Sequence, residues 1–263
     1  MNSEQAQDNS PLPVNEDASW PGPTVGVIGG NGPAATALFQ DVLVRLTPAA
    51  TDQEHLDLVV LVHSSQPDRT ARILSDDAPD PGPVLARDAA RLDAIGTDFT
   101  VIPCNTAYHF LPTIAEATSQ PILSIVEETA KAAVERAAER AGDGSSDRSP
   151  RIGLLATDGT RAAKVYERVL DSLGAQTIYP DDADQQLTMS VIYDGVKAGG
   201  PIDLAGLEAV ISRLAQQSDV VVLGCTELSV IHAQQGWSNR PELVDSIESL
   251  ARATILRAGK QPR

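Results

Sequence analysis

The sequence predicts an α/β protein: two similar doubly wound parallel-sheet domains related by a pseudo-two-fold axis, with a site in the cleft between them. Three observations lead there. Short continuous apolar runs alternate with amphipathic or Ala-rich stretches, the pattern of buried parallel strands joined by helices. The pattern restarts midway. Ile152-Gly153-Leu154-Leu155-Ala156-Thr157 echoes Val25-Gly26-Val27-Ile28-Gly29-Gly30 at an offset of 127, and Pro241-Glu242-Leu243-Val244-Asp245 echoes Pro121-Ile122-Leu123-Ser124-Ile125 at 120. The only two cysteines, Cys104 and Cys225, lie 121 residues apart and complete the repeat. Each ends an acidic lead-in and an apolar strand: Thr97-Asp98-Phe99-Thr100-Val101-Ile102-Pro103-Cys104, then Ser218-Asp219-Val220-Val221-Val222-Leu223-Gly224-Cys225. Strand ends are where α/β folds place chemistry.

Taken in order, residues 1–22 are polar, acidic and proline-bearing, and are expected to be a disordered tail. Thr24 to Ile28 reads as the first strand. Gly29-Gly30-Asn31-Gly32-Pro33 turns into a helix with Pro33 in its first turn. Leu56 to Val62 reads as a strand, Asp76 to Pro83 as loop, Val84 to Ile95 as helix and Phe99–Ile102 as strand. A helix is expected after Asn105, a short strand over Ile122–Ser124 and an Ala-rich helix over Val126 to Arg140. Gly142 to Pro150 reads as a linker. The first domain is thus 23–125. The second is 126–244, linker 142–150 included, and a helix over 245–258 is expected to return to the first domain.

Composition narrows the function. At 263 residues the chain can hold two domains, with 42% hydrophobic and 3% aromatic residues, so the core must be mainly aliphatic. No run of about eighteen apolar residues offers a membrane span. The start lacks the basic-then-apolar layout of a secretory signal. Two cysteines make no disulfide scaffold, so a cytoplasmic protein is expected. A formal charge of −16 argues against nucleic acid as a partner. An anionic substrate would need cations placed locally.

A free cysteine is often simply buried. Here each is followed by polar residues suited to a helix start, Asn105-Thr106 and Thr226-Glu227. A helix N-terminus lowers a thiol pKa. A thiol and thiolate facing each other can remove a proton from one face of a carbon and deliver one to the other. There is no Cys-x-x-Cys, and His55, His63, His109 and His232 form no ligand spacing, so neither a redox pair nor a metal site is expected. The turn at Gly29–Gly32 lacks the dinucleotide and P-loop patterns; backbone amides near a small carboxylate are its expected use. Arg69 in Asp68-Arg69-Thr70 can grip a carboxylate, or be a surface charge. Lys197 in Tyr193-Asp194-Gly195-Val196-Lys197 carries the same ambiguity. His63 and His109 read as packed or loop histidines.

These segments together resemble the cofactor-independent aspartate/glutamate racemase family. The matches are Gly29-Gly30-Asn31-Gly32-Pro33-Ala34-Ala35-Thr36, Pro67-Asp68-Arg69-Thr70, Pro103-Cys104-Asn105-Thr106-Ala107, Ile192-Tyr193-Asp194-Gly195-Val196-Lys197 and Leu223-Gly224-Cys225-Thr226-Glu227-Leu228. They run in order along nearly the whole chain after the tail. The resemblance implies racemisation of an acidic amino acid, aspartate first and glutamate second, without pyridoxal phosphate or metal. By match, Cys104 and Cys225 are the two bases. Asn105, Thr106 and Thr226 hold the α-carboxylate or amino group, and Arg69 and Lys197 the side-chain carboxylate. Asn31 and Glu227 are further substrate contacts. In relatives the first-half cysteine faces the D enantiomer, and a homodimer is implied. Hydantoin racemases, maleate isomerases and arylmalonate decarboxylases share the cysteine motifs, and a non-catalytic acid-binding protein is the alternative of a different class. Asn31 stands where relatives often have Met, Ser64-Ser65-Gln66 replaces a more apolar stretch, and Tyr108-His109 replaces a His-aromatic pair. All three departures lie close to the expected substrate.

Overall fold

The computed structural model describes residues 22–141 and 148–263. The expected tail, apart from Gly22, and residues 142–147 of the expected linker lie outside the described residues.

Two four-stranded parallel sheets carry the fold. The first is built from β1 (Thr24–Gly29), β2 (Asp57–Val62), β3 (Phe99–Val101) and β4 (Ile122–Leu123), in the order β2-β1-β3-β4. The second has β5 (Arg151–Leu155), β6 (Gln176–Ile178), β7 (Val220–Leu223) and β8 (Leu243–Asp245), in the order β6-β5-β7-β8. The identical order is the structural form of the sequence repeat, and the two-sheet α/β architecture expected from it is borne out. In each sheet the central strands are mostly apolar and buried, β7 wholly so. Each cysteine therefore follows a central strand.

Helices cover the sheets: α1 (Pro33–Leu46), α2 (Arg69–Leu74), α3 (Gly82–Ile95), α4 (Leu111–Ala115), α5 (Ile125–Ala141), α6 (Asp158–Ala162), α7 (Val165–Ser172), α8 (Asp182–Ser190), α9 (Leu204–Ala215), α10 (Thr226–Gln235) and α11 (Ser246–Arg257). The chain crosses over between the halves. Helix α5, which leaves the first sheet, packs on β5, β7, β8 and α7; helix α11, which leaves the second sheet, packs on α1, α5 and β4. One continuous apolar cluster runs through both halves, from Val25 and Phe39 through Val126 and Ile152 to Ile247 and Ile255.

Four local expectations change. The helix expected after Asn105 is a tight 3-10 turn, Thr106–Phe110, leading into α4. Pro112 has no N–H to give to a carbonyl of the preceding turn, so the helix starts afresh beside it. The strands expected to end at Ile102 and Ser124 stop at Val101 and Leu123. Ser124 instead caps α5, its Oγ accepting from the Glu127 N–H at 3.1 Å. Helix α3 starts two residues earlier than expected, at Gly82, with Pro83 in its first turn. Among the described residues, no helix is long and apolar enough to cross a membrane.

Candidate active site

The two cysteines converge. Cys104 and Cys225 are 6% and 5% exposed and line one small chamber between the halves. The same wall carries Asn31, Arg69, Asn105, Thr106, Lys197, Thr226 and Glu227, so every residue singled out from the sequence meets there. The chamber volume is about 10 Å³, space for roughly one water. A wider vestibule of about 450 Å³ adjoins it, sharing Asn31, Asp68, Arg69, Lys197 and Glu227.

The two thiols sit in unlike surroundings. Cys225 caps the N-terminus of α10, as expected, but its thiol is pushed well above the ordinary range rather than lowered. Burial is the main cause and the Glu227 carboxylate the next, with Lys197 opposing them. Cys225 Sγ donates to Glu227 Oε2 at 3.0 Å. Burial and a like charge thus outweigh the helix dipole. Cys104, which precedes a 3-10 turn, faces the Arg69 guanidinium.

Arg69 is not a surface charge. It opens α2, whose first turn is held by Asp68 Oδ1 accepting from the Ala71 N–H at 2.8 Å. The residue is 8% exposed, and its guanidinium donates to the carbonyls of Asn31 at 2.6 Å and Pro67 at 3.1 Å. Burial opposes its charge, but Cys104, then Asp68 and Glu227, hold its pKa above the ordinary value. Lys197 arrives on a stretch of π-helix, Val191–Lys197, a wide turn often found at functional sites. Its Nζ is 3.7 Å from Asp68 Oδ2, 3.9 Å from Glu227 Oε1 and 4.3 Å from the Tyr193 ring centre. Its pKa is raised too: Glu227 leads the attractions that overcome a larger burial penalty.

The glycine turn contributes differently than expected. The Gly30 amide donates to Thr36 Oγ1 at 3.0 Å, so that donor is spent inside the turn. What the turn supplies is the Asn31 carbonyl that anchors Arg69. Gly30 has φ +83°, and a side chain there would strike the His63 backbone. His63 pairs with Asp88 at 2.9 Å, and His109 stands edge-on to Phe110. His63 is half-buried and His109 exposed, so His109 is the loop histidine the sequence allowed.

Several site residues escaped the sequence reading. Tyr166, fully buried on α7, donates its hydroxyl to Asn105 Oδ1 at 2.6 Å, and Asn105 Nδ2 donates to Ser246 Oγ at 3.0 Å. Burial pushes the Tyr166 hydroxyl up, so it remains a donor. Thr106 meets Thr160 at 2.9 Å and Thr157 at 3.3 Å, and Thr157 meets Thr70 at 3.2 Å. This knot of hydroxyls joins the halves beside the thiols. Asp68 and Tyr193 add an acid and an aromatic face across the cleft, 3.4 Å apart. Asp68, Thr70 and Tyr193 stand within the segments that matched the family, and Thr157 within the repeat; no signal marked Tyr166, Thr160 or Ser246. Among the described residues no three His, Cys, Asp or Glu side chains gather as a metal-ligand set.

Comparison with known proteins agrees with the motif resemblance. The family model described as Asp/Glu/Hydantoin racemase matches residues 28–254. The broad specificity amino-acid racemase RacX of Bacillus subtilis is 26% identical over 237 residues, covering 88% of this chain and 96% of that protein. A glutamate racemase of Vibrio campbellii is 30% identical over 66% of this chain and 62% of its own length. The solved aspartate racemase of Picrophilus torridus superposes with a TM-score of 0.74 at 29% identity, covering 92% of this chain and 96% of that one. The chain belongs to the Asp/Glu/Hydantoin racemase family.

Proposed function

We propose that this protein interconverts the L and D forms of a free amino acid without a cofactor, with Cys104 and Cys225 as paired acid and base on opposite faces of the α-carbon. The carrying observation is that two free, buried thiols, one from each half, line a single chamber. Aspartate, expected from the sequence, is the first substrate to test. Its side-chain carboxylate would meet Arg69 and Lys197, with Asn105, Thr106 and Thr226 on the α-substituents and Asn31 and Glu227 completing the wall.

Cys225, buried and bonded to Glu227, is the proton donor of the resting pair. Cys104, facing Arg69, is its partner across the chamber. In one direction the Cys104 sulfur takes the α-proton and the Cys225 thiol gives its proton to the opposite face. The reverse turnover exchanges the roles. Between the two transfers the carbon carries negative charge, so fixed donors must be in place beforehand. The α10 N-terminus, the Thr226 hydroxyl and the two cations supply them. An amino acid exceeds the volume of the inner chamber, so the halves must part around the hydroxyl knot to admit it.

We place the protein in the cytoplasm, in keeping with its free thiols, and as a homodimer, in keeping with the family resemblance. Cys104→Ala and Cys225→Ala should each lower racemisation by at least about 10³-fold while the fold persists, since either change removes one of two obligatory proton carriers. Chiral chromatography after incubation with L-aspartate measures this. Near-normal turnover in either variant would rule out the two-thiol scheme. A binding protein would catalyse no exchange of the α-proton for deuterium, and a decarboxylase would release carbon dioxide.

A further inference from the structure

Behind the two thiols lies a buried carboxyl that the proposed reaction does not use. Asp245 ends β8, in register with Leu223 of β7, two residues before Cys225. It is 7% exposed, and its Oδ1 accepts from the Glu248 N–H at 2.9 Å, which starts α11. Its Oδ2 is buried with no hydrogen-bond partner among the described residues, and so is the hydroxyl of Ser229 on α10. The two orphans are neighbours: the Ser229 hydroxyl stands beside the Asp245 carboxyl, with the buried His232 ring also near it. Buried polar groups are rarely left unpaired without a use.

Ser229 and His232 belong to the helix that Cys225 begins. The Ser229 N–H donates to the Cys225 carbonyl at 3.3 Å and closes the first turn. On the other side, the residue after Asp245 is Ser246, which accepts from Asn105 Nδ2 at 3.0 Å, and Asn105 adjoins Cys104. The charges of Asp245 and Cys225 both reach the Tyr166 hydroxyl, which holds Asn105 Oδ1. Asp245 thus sits where the supports of the two sulfurs meet.

Arg252 does not neutralise this carboxyl: it is committed to Glu248 at 2.9 Å and to the Arg263 carbonyl at 2.8 Å. Burial raises the Asp245 pKa and outweighs the His232 ring, the Ser229 hydroxyl and the Glu248 N–H, all of which favour the charged form, while the Glu248 charge adds to the rise. A protonated Asp245 has an O–H to give to Ser229, and it puts no negative charge behind a sulfur that must itself become a thiolate. We infer that Asp245 is a positioning residue for racemisation, its carboxyl bracing Ser229 and so fixing the start of α10 beneath Cys225. The inference rests on the racemase reading above and adds to it a residue that touches no substrate. Because the brace works uncharged, an amide can replace it.

The test compares full-length Asp245→Ala, Asp245→Asn and Ser229→Ala with the unchanged protein by two readouts. One is kcat and KM for the amino acid it racemises fastest. The other is the rate at which iodoacetamide labels Cys225, read by peptide mass spectrometry. Asp245→Ala and Ser229→Ala should each lower kcat by about tenfold with KM nearly unchanged, because a misplaced proton carrier costs rate rather than affinity. Both should change Cys225 labelling by about threefold or more, since a thiol's reactivity follows its surroundings. Asp245→Asn keeps an oxygen for the Glu248 N–H and brings an N–H₂ for Ser229, and should return both readouts to within about threefold of the unchanged protein. Asparagine as damaging as alanine overturns the inference, because the brace would then need the charge. Where Asp245→Ala does not fold, Ser229→Ala decides: unchanged kcat and unchanged labelling overturn the brace. A protein that exchanges no α-proton of any amino acid overturns the racemase reading, whereas labelling of Cys225 needs no turnover and decides the brace separately.

Discussion

Tyr166→Phe isolates a single hydrogen bond behind the first thiol. The ring is wholly buried and keeps its packing in the variant, so no cavity forms. What is lost is the donor 2.6 Å from Asn105 Oδ1. Asn105 is itself 2% exposed, so no water replaces the hydroxyl freely. Leaving a buried acceptor unpaired costs about 1–3 kcal/mol. At about 2–4 °C per kcal/mol for a chain of this size, the melting temperature should fall by about 2–12 °C. Asn105 is then tethered only through Ser246, and the backbone next to Cys104 loses one of its two anchors. The rate constant should fall more than substrate affinity, because a proton transfer is sensitive to small misplacements. Thermal melts by circular dichroism, paired with chiral turnover assays, measure both effects. A variant with an unchanged melting temperature and unchanged kcat would show that Tyr166 does not position Asn105, and the account of that shell would be wrong.

Two further outcomes follow from the same geometry. Cys225 holds its proton more tightly folded than unfolded, so its contribution is fully present below the ordinary thiol range and is lost as pH rises beyond about 8.5. Urea denaturation across pH 8–10 should show stability declining, and Cys225→Ser should flatten that decline; an equal slope in both proteins would remove Cys225 as its source. Gly159→Ala would place a methyl 2.7 Å from the Thr70 Cα, where α6 meets α2, forcing the halves apart beside the threonine knot. Activity should drop at least about tenfold, since an ångström of displacement near a proton-transfer site is costly; full activity would show that this contact does not set the spacing of the thiols.

How much was legible depended on which force decided each feature. The strands were readable because Val25–Ile28 and Val220–Leu223 are continuous apolar runs that only a buried sheet accommodates. The gathering of the expected residues was readable because the cysteines follow two equivalent strands, Phe99–Val101 and Val220–Leu223, and the residues after them share the same edge. Arg69 and Lys197 were ambiguous until tertiary packing gave them partners. Tyr166 and Thr160 were invisible, since their helices carry no local sign of which neighbour they face. The expected lowering of the Cys225 thiol failed for a related reason. A helix start can be read along the chain, but burial and the fold of the Glu227 side chain onto the sulfur cannot. Pro112 is a local signal of another kind, and the expectation of a helix after Asn105 took no account of it.

The crossover of α5 and α11 makes the two repeats mutually dependent. A fragment ending at residue 141 would leave α1 uncovered on the side that α11 occupies, and one beginning at 148 would leave the second sheet without α5. Arg263 reinforces this, because its N–H donates to the Leu46 carbonyl at the end of α1, at 2.8 Å. The molecule should therefore melt as one cooperative unit, and trimming its carboxyl end should loosen the sheet that is made first during synthesis.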